Sequence, residues 1–149
     1  MLNTNQKATD ELNEMLKNEL AAGRAYEIAQ KTFGNNHPVS SELRKISAEH
    51  QSSSTKLVKE IQRAGGEPIR DSGALGSFAA LATGAAKALG KSAVLKTLEK
   101  GEQSCTKTYQ NARKSKNLDY EAKILLERTM IPKQAQHVSS LQQLQGVMK

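Results

Sequence analysis

Two glutamates, Glu19 and Glu102, are each followed seven residues later by a tyrosine, Tyr26 and Tyr109. Both pairs fall on apolar stripes of helical periodicity, so each carboxylate is predicted to face a helix-packed core. Burying a carboxylate without a partner is costly. A divalent metal ion would neutralise such groups, and so would protonation or access of water. The shared spacing also indicates a short internal repeat.

Two other segments are predicted to add polar groups to the same core. Glu49 and His50 lie on one of them, and Gln134 and His137 lie on the other, with Glu127 earlier on the same stripe. A metal ion would stabilise this combination of carboxylates and imidazole. The structural alternative is that the carboxylates pair with Lys or Arg of neighbouring helices and that His137 bonds to a backbone or tyrosine oxygen.

The elements that must position these groups are four long helices. Hydrophobic periodicity predicts them over residues 8–33, 40–64, 92–114 and 119–148. Pro132 lies inside the fourth helix and is expected to kink or break it. Residues 66–91 form a long crossover whose Gly- and Ala-rich middle predicts one short extra helix. Two short links and one crossover are typical of an all-α, ferritin-like up-down-down-up bundle.

Composition restricts the class of protein. A chain of 149 residues with 37% hydrophobic and 25% charged residues fits a single soluble domain, which we expect to span residues 1–149. One cysteine excludes an internal disulfide and a two-cysteine zinc site. The first residues show no secretory signal, so we expect a cytoplasmic protein. The apolar run in the crossover is shorter than the roughly 20 residues of a membrane span.

The basic excess of the chain is uneven. Residues 71–149 carry twelve Lys/Arg against six Asp/Glu, whereas residues 1–70 carry ten against nine. A basic surface can attract nucleic acid or anionic lipid. These basic residues are not interleaved with aromatic residues, as a single-strand platform requires. We therefore favour a solvated helix face, with nucleic-acid binding as the alternative.

Residues 12–26, LNEMLKNELAAGRAY, resemble the first helix of bacterioferritins in sharing Leu-Asn, then Asn-Glu-Leu, then Tyr. Over residues 9–145 the chain is more similar to an uncharacterised bacterial family of ferritin-like four-helix bundles, a domain of unknown function. The segments that carry this resemblance are Gly65-Gly66-Glu67-Pro68, Asp71-Ser72-Gly73, Glu99-Lys100-Gly101-Glu102, Tyr109, Leu126-Glu127-Arg128 and His137.

The resemblance implies a metal site in which two helices supply one Glu each and the other two supply a Glu-x-x-His each. The matching residues are Glu19, Glu49, Glu102 and His137. Ser52 and Gln134 stand where the remaining histidine and glutamate belong. These departures argue against a pair of irons, whereas a single metal ion held by the four matching residues is geometrically possible. The predicted surroundings of this site are Tyr26, Tyr109, Gln134, His50 and Glu127.

We expect a ferritin-like protein with a degenerate metal site. The protein is expected to act by binding or assembly, or in a stress response, rather than by catalysis. Its cofactor is expected to be iron or another divalent metal, or none, and its state a homo-oligomer, either a dimer or larger. The first alternative is an iron- or manganese-dependent oxidase, a ferroxidase or a metal store. The second is a basic nucleic-acid-binding bundle.

Overall fold

The first two helices are α1 (Thr4–Phe33) and α2 (Ser40–Arg63), in a computed structural model that describes residues 4–148. The prediction of no secretory signal rests partly on residues 1–3, which lie outside the described residues. α1 ends at Gly34, whose φ of +78° is a left-handed conformation that favours glycine. The hydroxyl of Ser40 then bonds to the carbonyl of Gly34, which closes the short link between the helices.

The crossover carries a 3₁₀ turn (Gly76–Phe78) and two short helices, α3 (Ala79–Ala82) and α4 (Ala85–Leu89). The prediction of one short helix is therefore wrong. The break falls at Gly84, which has a φ of +79° and ends α3 after one turn.

The second half begins with α5 (Lys91–Ala112). The last helical span consists of α6 (Tyr120–Leu125), a π-helical turn (Leu126–Met130) and α7 (Ile131–Val147). Pro132 has no N–H and its ring clashes with the carbonyl four residues earlier, so the wider π turn just before it accommodates the ring. The expected interruption at Pro132 thus takes the form of a π turn within a continuous helical span. The described residues, 4–148, contain no strand.

Hydrogen bonds between helices show that α1 is antiparallel to both of its neighbours. Glu19 contacts His50 on α2, and Asn13, nearer the start of α1, donates to the carbonyl of Glu67 just beyond the end of α2. Tyr26 contacts Glu102 on α5. The Tyr109 hydroxyl, farther along α5, reaches the carbonyl of Met15, which comes before Tyr26 on α1.

The last helical span is likewise antiparallel to α5 and α2. Gln134 contacts Glu102, and Gln145, farther along, bonds to Glu99. On the other side, His137 contacts Glu49, and Arg63 at the end of α2 binds Asp119 at the start of α6. Each long helix therefore supplies side chains to the same central layer.

The core on either side of this layer is apolar, and the crossover is anchored to it. The fully buried side chains include Leu16, Leu43, Ile61, Leu98 and Leu126. Phe78 of the crossover packs directly on Gly101, where an added Cβ would lie 2.1 Å from the ring. Within residues 4–148 no helix is both long enough and apolar enough to cross a membrane.

Candidate metal centre

His50 lies at the middle of the buried polar layer. It shares a face of α2 with Leu43, Ile46, Leu57 and Ile61, and 1% of its surface is exposed. Its Nδ1 is 2.5 Å from Glu19 Oε2, and its Nε2 is 2.5 Å from Glu102 Oε1. Both ring nitrogens can donate to these carboxylates only when the ring is protonated.

Glu102 is fully buried and accepts hydrogen bonds on both carboxylate oxygens. The Tyr26 hydroxyl donates to Oε1 at 2.8 Å, on the same oxygen that His50 contacts. The amide nitrogen of Gln134 donates to Oε2 at 2.6 Å and to the Glu102 carbonyl at 3.2 Å. Gln134 therefore acts as a donor that holds Glu102 in place.

His137 approaches the same carboxylate from α7, one turn after Gln134. Its Nε2 lies 3.2 Å from Glu49 Oε1, and its Nδ1 lies 3.5 Å from Glu102 Oε1. Nδ1 is buried and forms no hydrogen bond among residues 4–148, so its approach to Glu102 is an electrostatic contact. The rings of His137 and His50 have centroids 4.7 Å apart. One nitrogen of each ring thus faces Glu102, and the other faces a separate carboxylate.

Glu49 and Lys133 form the partly exposed edge of the cluster. The side chain of Glu49 is 18% exposed and that of Lys133 is 42% exposed, and the ammonium of Lys133 contacts Glu49 Oε2. Burial tends to raise the pKa of Glu49, but its hydrogen bond with Lys133 and the charge of His137 outweigh burial and lower it. Glu49 is therefore ionised and links Lys133 to His137.

Opposite charges stabilise the ionised forms of the central groups. Burial by itself would lower the pKa of His50, but the carboxylates of Glu102 and Glu19 outweigh it and raise that pKa well above the ordinary value. Burial would raise the pKa of Glu102, but His50 and His137 lower it. A protonated His50 between two carboxylates is the charge state that the geometry favours.

Three donor atoms in this layer could hold a metal ion. His50, Glu102 and His137 each offer one ligand atom, and these atoms lie within 4.8 Å of one another. Glu19 and Glu49 contact the outward nitrogens of the two histidines. A carboxylate on the second nitrogen is the usual partner of a metal-bound histidine, because it orients the ring and selects its tautomer. His137 Nδ1, which forms no hydrogen bond within the described part of the chain, suits a ligand position.

Comparison with known proteins identifies the family from the first three long helices. The family described as Domain of unknown function (DUF2383) matches residues 7–115. The chain belongs to this family. The matched range includes Glu19, Glu49, His50 and Glu102, whereas His137 lies beyond it. No curated protein and no solved structure matches this DUF2383 chain.

The structure brings together the four residues predicted as ligands in this DUF2383 chain, but in unequal positions. Glu102 and His137 lie at the centre, whereas Glu19 and Glu49 lie behind the two histidines. His50, predicted to belong to the surroundings, occupies the position between Glu19 and Glu102. The sequence contained a signal for the buried position of His50. His50 follows Ile46 by four residues, so both residues lie on the same face of α2, which is buried.

The remaining predicted residues divide into three groups. Tyr26 and Gln134 both bond to Glu102, as described above. Tyr109 is buried, but its hydroxyl reaches the Met15 carbonyl at 3.5 Å. Burial, reinforced by the charge of Glu19, raises the pKa of Tyr109. Glu127 is exposed, so its prediction as part of the inner stripe is wrong.

The π turn explains why Glu127 does not face the core. Its extra residue rotates the preceding turn relative to α7, so Leu126 and Met130 occupy the buried face there. Lys133 was not anticipated as part of the site. Nothing in helical periodicity marks it, because its contact with Glu49 depends on the approach of α2 to α7.

Proposed function

We propose that this DUF2383 chain binds one divalent transition-metal ion through His50 Nε2, Glu102 Oε1 and His137 Nδ1. The observation that carries the proposal is that these three residues converge in one buried layer, where His137 Nδ1 lies 3.5 Å from Glu102 Oε1 but forms no hydrogen bond within residues 4–148. A buried polar atom without a partner is destabilising, and a ligand position accounts for it. The role proposed for the chain is metal binding without catalysis.

The donor set supports a transition metal over magnesium or calcium. Two imidazole nitrogens and one carboxylate oxygen suit zinc, iron, cobalt or nickel, whereas magnesium and calcium prefer oxygen ligands alone. A bound ion would supply positive charge to a layer that otherwise relies on the proton of His50. Glu19 and Glu49 then act as orienting groups, which modifies the expectation that they are direct ligands.

Two residues argue against a second metal ion and hence against the oxidase alternative. The ammonium of Lys133 already neutralises Glu49, which is the carboxylate nearest to His137 at the edge of the cluster. Gln134 is neutral, and its amide nitrogen is bonded to Glu102. Neither the neutralised Glu49 nor the uncharged Gln134 offers the bridging negative charge that a pair of metal ions needs.

We propose further that the helices form a ferritin-like up-down-down-up bundle. In support, α1 is antiparallel to α2 and α5, and the last helical span is antiparallel to both α2 and α5. A long crossover joins α2 to α5 and allows these two helices to run in the same direction. The single domain, the homo-oligomer, the nucleic-acid alternative and the cytoplasmic location stay predictions from the sequence.

The test is a calorimetric titration of the metal-free protein with Co²⁺ and Zn²⁺, with bound metal counted by elemental analysis. We expect one ion per chain. His50→Ala and His137→Ala should each lose it. The matched control is His37→Ala, since His37 lies on the α1–α2 link, outside the cluster. Glu49→Gln should keep the stoichiometry and weaken the affinity by about 10- to 100-fold.

Three results would overturn the proposal. The first is a wild-type protein that binds neither ion. The second is full binding by both His50→Ala and His137→Ala. The third is two irons per chain after incubation with iron(II) in air, which would favour the oxidase.

A further inference from the structure

A cavity on the α1–α2 face reaches one member of the buried cluster. Its volume is about 240 Å³, and its lining includes Glu19, Gly23, Glu27, Ser47 and Ser54. Glu19 is 2% exposed and bonds directly to His50 through Oε2. The cavity lining therefore includes both exposed residues such as Glu27 and the buried residue Glu19, which contacts His50.

Gly23, like Gly146, is a helical glycine that neither close packing nor a positive φ requires. At Gly101 an added Cβ would lie 2.1 Å from Phe78, so close packing accounts for that glycine. At Gly23 an added Cβ would meet no atom of the described part of the chain within 4 Å, and the residue has no positive φ. A glycine inside a helix is less stable than alanine. The structural effect of Gly23 is therefore the open space that it leaves beside α1.

The direction of helical side chains explains what that space exposes. Side chains lean toward the helix N-terminus, so a side chain at position 23 would cover the preceding turn. That turn contains Glu19, four residues earlier on the same face. The absence of a side chain at Gly23 leaves the turn that carries Glu19 as part of the cavity lining, although only 2% of Glu19 itself is exposed.

The lining of the cavity suits a cation. The lining includes two acidic residues, Glu19 and Glu27, and one basic residue, Arg24, in a chain whose net charge is +7. Arg24 also donates to the Gly73 carbonyl of the crossover at 3.4 Å. The hydroxyls of Ser47 and Ser54 add oxygen atoms that can replace the waters of a hydrated metal ion.

We propose that this cavity is the route by which a divalent metal ion reaches the buried site, with Glu19 as the last carboxylate before His50. The proposal rests on the proposed function, because it presupposes metal binding by His50, Glu102 and His137. It predicts that an obstruction at Gly23 changes the rate of metal uptake without changing the equilibrium affinity, since Gly23 is not a ligand.

The experiment measures Co²⁺ uptake by the metal-free protein in stopped-flow absorption, alongside the equilibrium affinity of each variant. Gly23→Leu should slow uptake by about tenfold, which corresponds to an increase of ~1.4 kcal/mol in the activation free energy of uptake. Gly23→Ala, a smaller obstruction, should slow it less and serves if the leucine variant folds poorly. The matched control is Gly146→Leu, at a helical glycine that also has open space around it. Its uptake rate should equal that of the wild type.

The outcomes separate the two proposals. Absence of bound Co²⁺ at equilibrium in the wild type would refute the proposed metal site. Equilibrium binding with equal uptake rates in wild type, Gly23→Ala and Gly23→Leu would refute the route alone. Faster uptake in Lys133→Gln together with unchanged rates in both Gly23 variants would place the route at the Glu49 edge instead.

Discussion

Glu102→Gln in the metal-free protein tests whether a buried ion pair stabilises the central layer. Glu102 accepts from Tyr26 and His50 on one oxygen and from Gln134 on the other. A glutamine side chain can accept on only one atom, so in either orientation its amide nitrogen faces a donor. The substitution also removes one of the two negative charges that flank protonated His50.

The magnitude follows from burial. Removing one partner of a buried ion pair typically costs about 3–5 kcal/mol. Because His50 retains Glu19 at 2.5 Å, we expect the lower end, ~3 kcal/mol. This is a large fraction of the 5–15 kcal/mol that typically separates folded from unfolded protein. With a urea dependence of ~2 kcal/mol per molar, the midpoint should fall by roughly 1.5 M.

Urea denaturation followed by circular dichroism, in the presence of a chelator, measures this change. The control is Glu99→Gln on the same helix, since Glu99 accepts from Gln142 and Gln145 near the surface. That change should cost less than about 1 kcal/mol. A midpoint for Glu102→Gln equal to or above that of the wild type would refute the ionic description of the layer. The desolvation cost saved by removing the buried charge would then equal or exceed the stabilisation lost with its ionic contacts.

Two further predictions concern the metal-free protein. Because Glu102 and Glu19 overcome burial and raise the pKa of His50, its proton stabilises the fold fully below pH ~6.5, and this contribution falls as the pH rises, by at most about 1.4 kcal/mol per unit. Urea midpoints that stay constant from pH 7 to 9 would contradict this. Gly101→Ala should cost about 1–3 kcal/mol by overpacking against Phe78, measured by the same assay. Phe78→Leu should reduce that cost, and an unchanged midpoint for the single variant would show that the contact is loose.

Much of the fold follows from local patterns in the sequence. The long helices arise where apolar residues recur at helical spacing, and Gly34 ends α1 because its left-handed conformation favours glycine. The break at Gly84 was missed because a single glycine in a run of good helix formers does not reveal whether φ will be positive. Local propensity likewise does not show how Pro132 is accommodated.

By itself the sequence determined that Glu19, Glu102 and His137 enter the core, because their spacing places them on buried helix faces. It did not determine that His50 rather than Glu49 lies at the centre, or that Glu127 is exposed. The tertiary structure decided which contacts these groups make with one another. The rotation and approach of neighbouring helices put His50 between two carboxylates and left Glu49 at the edge with Lys133. Periodicity defines a face within one helix, whereas contacts a few ångströms long depend on how separate helices pack together.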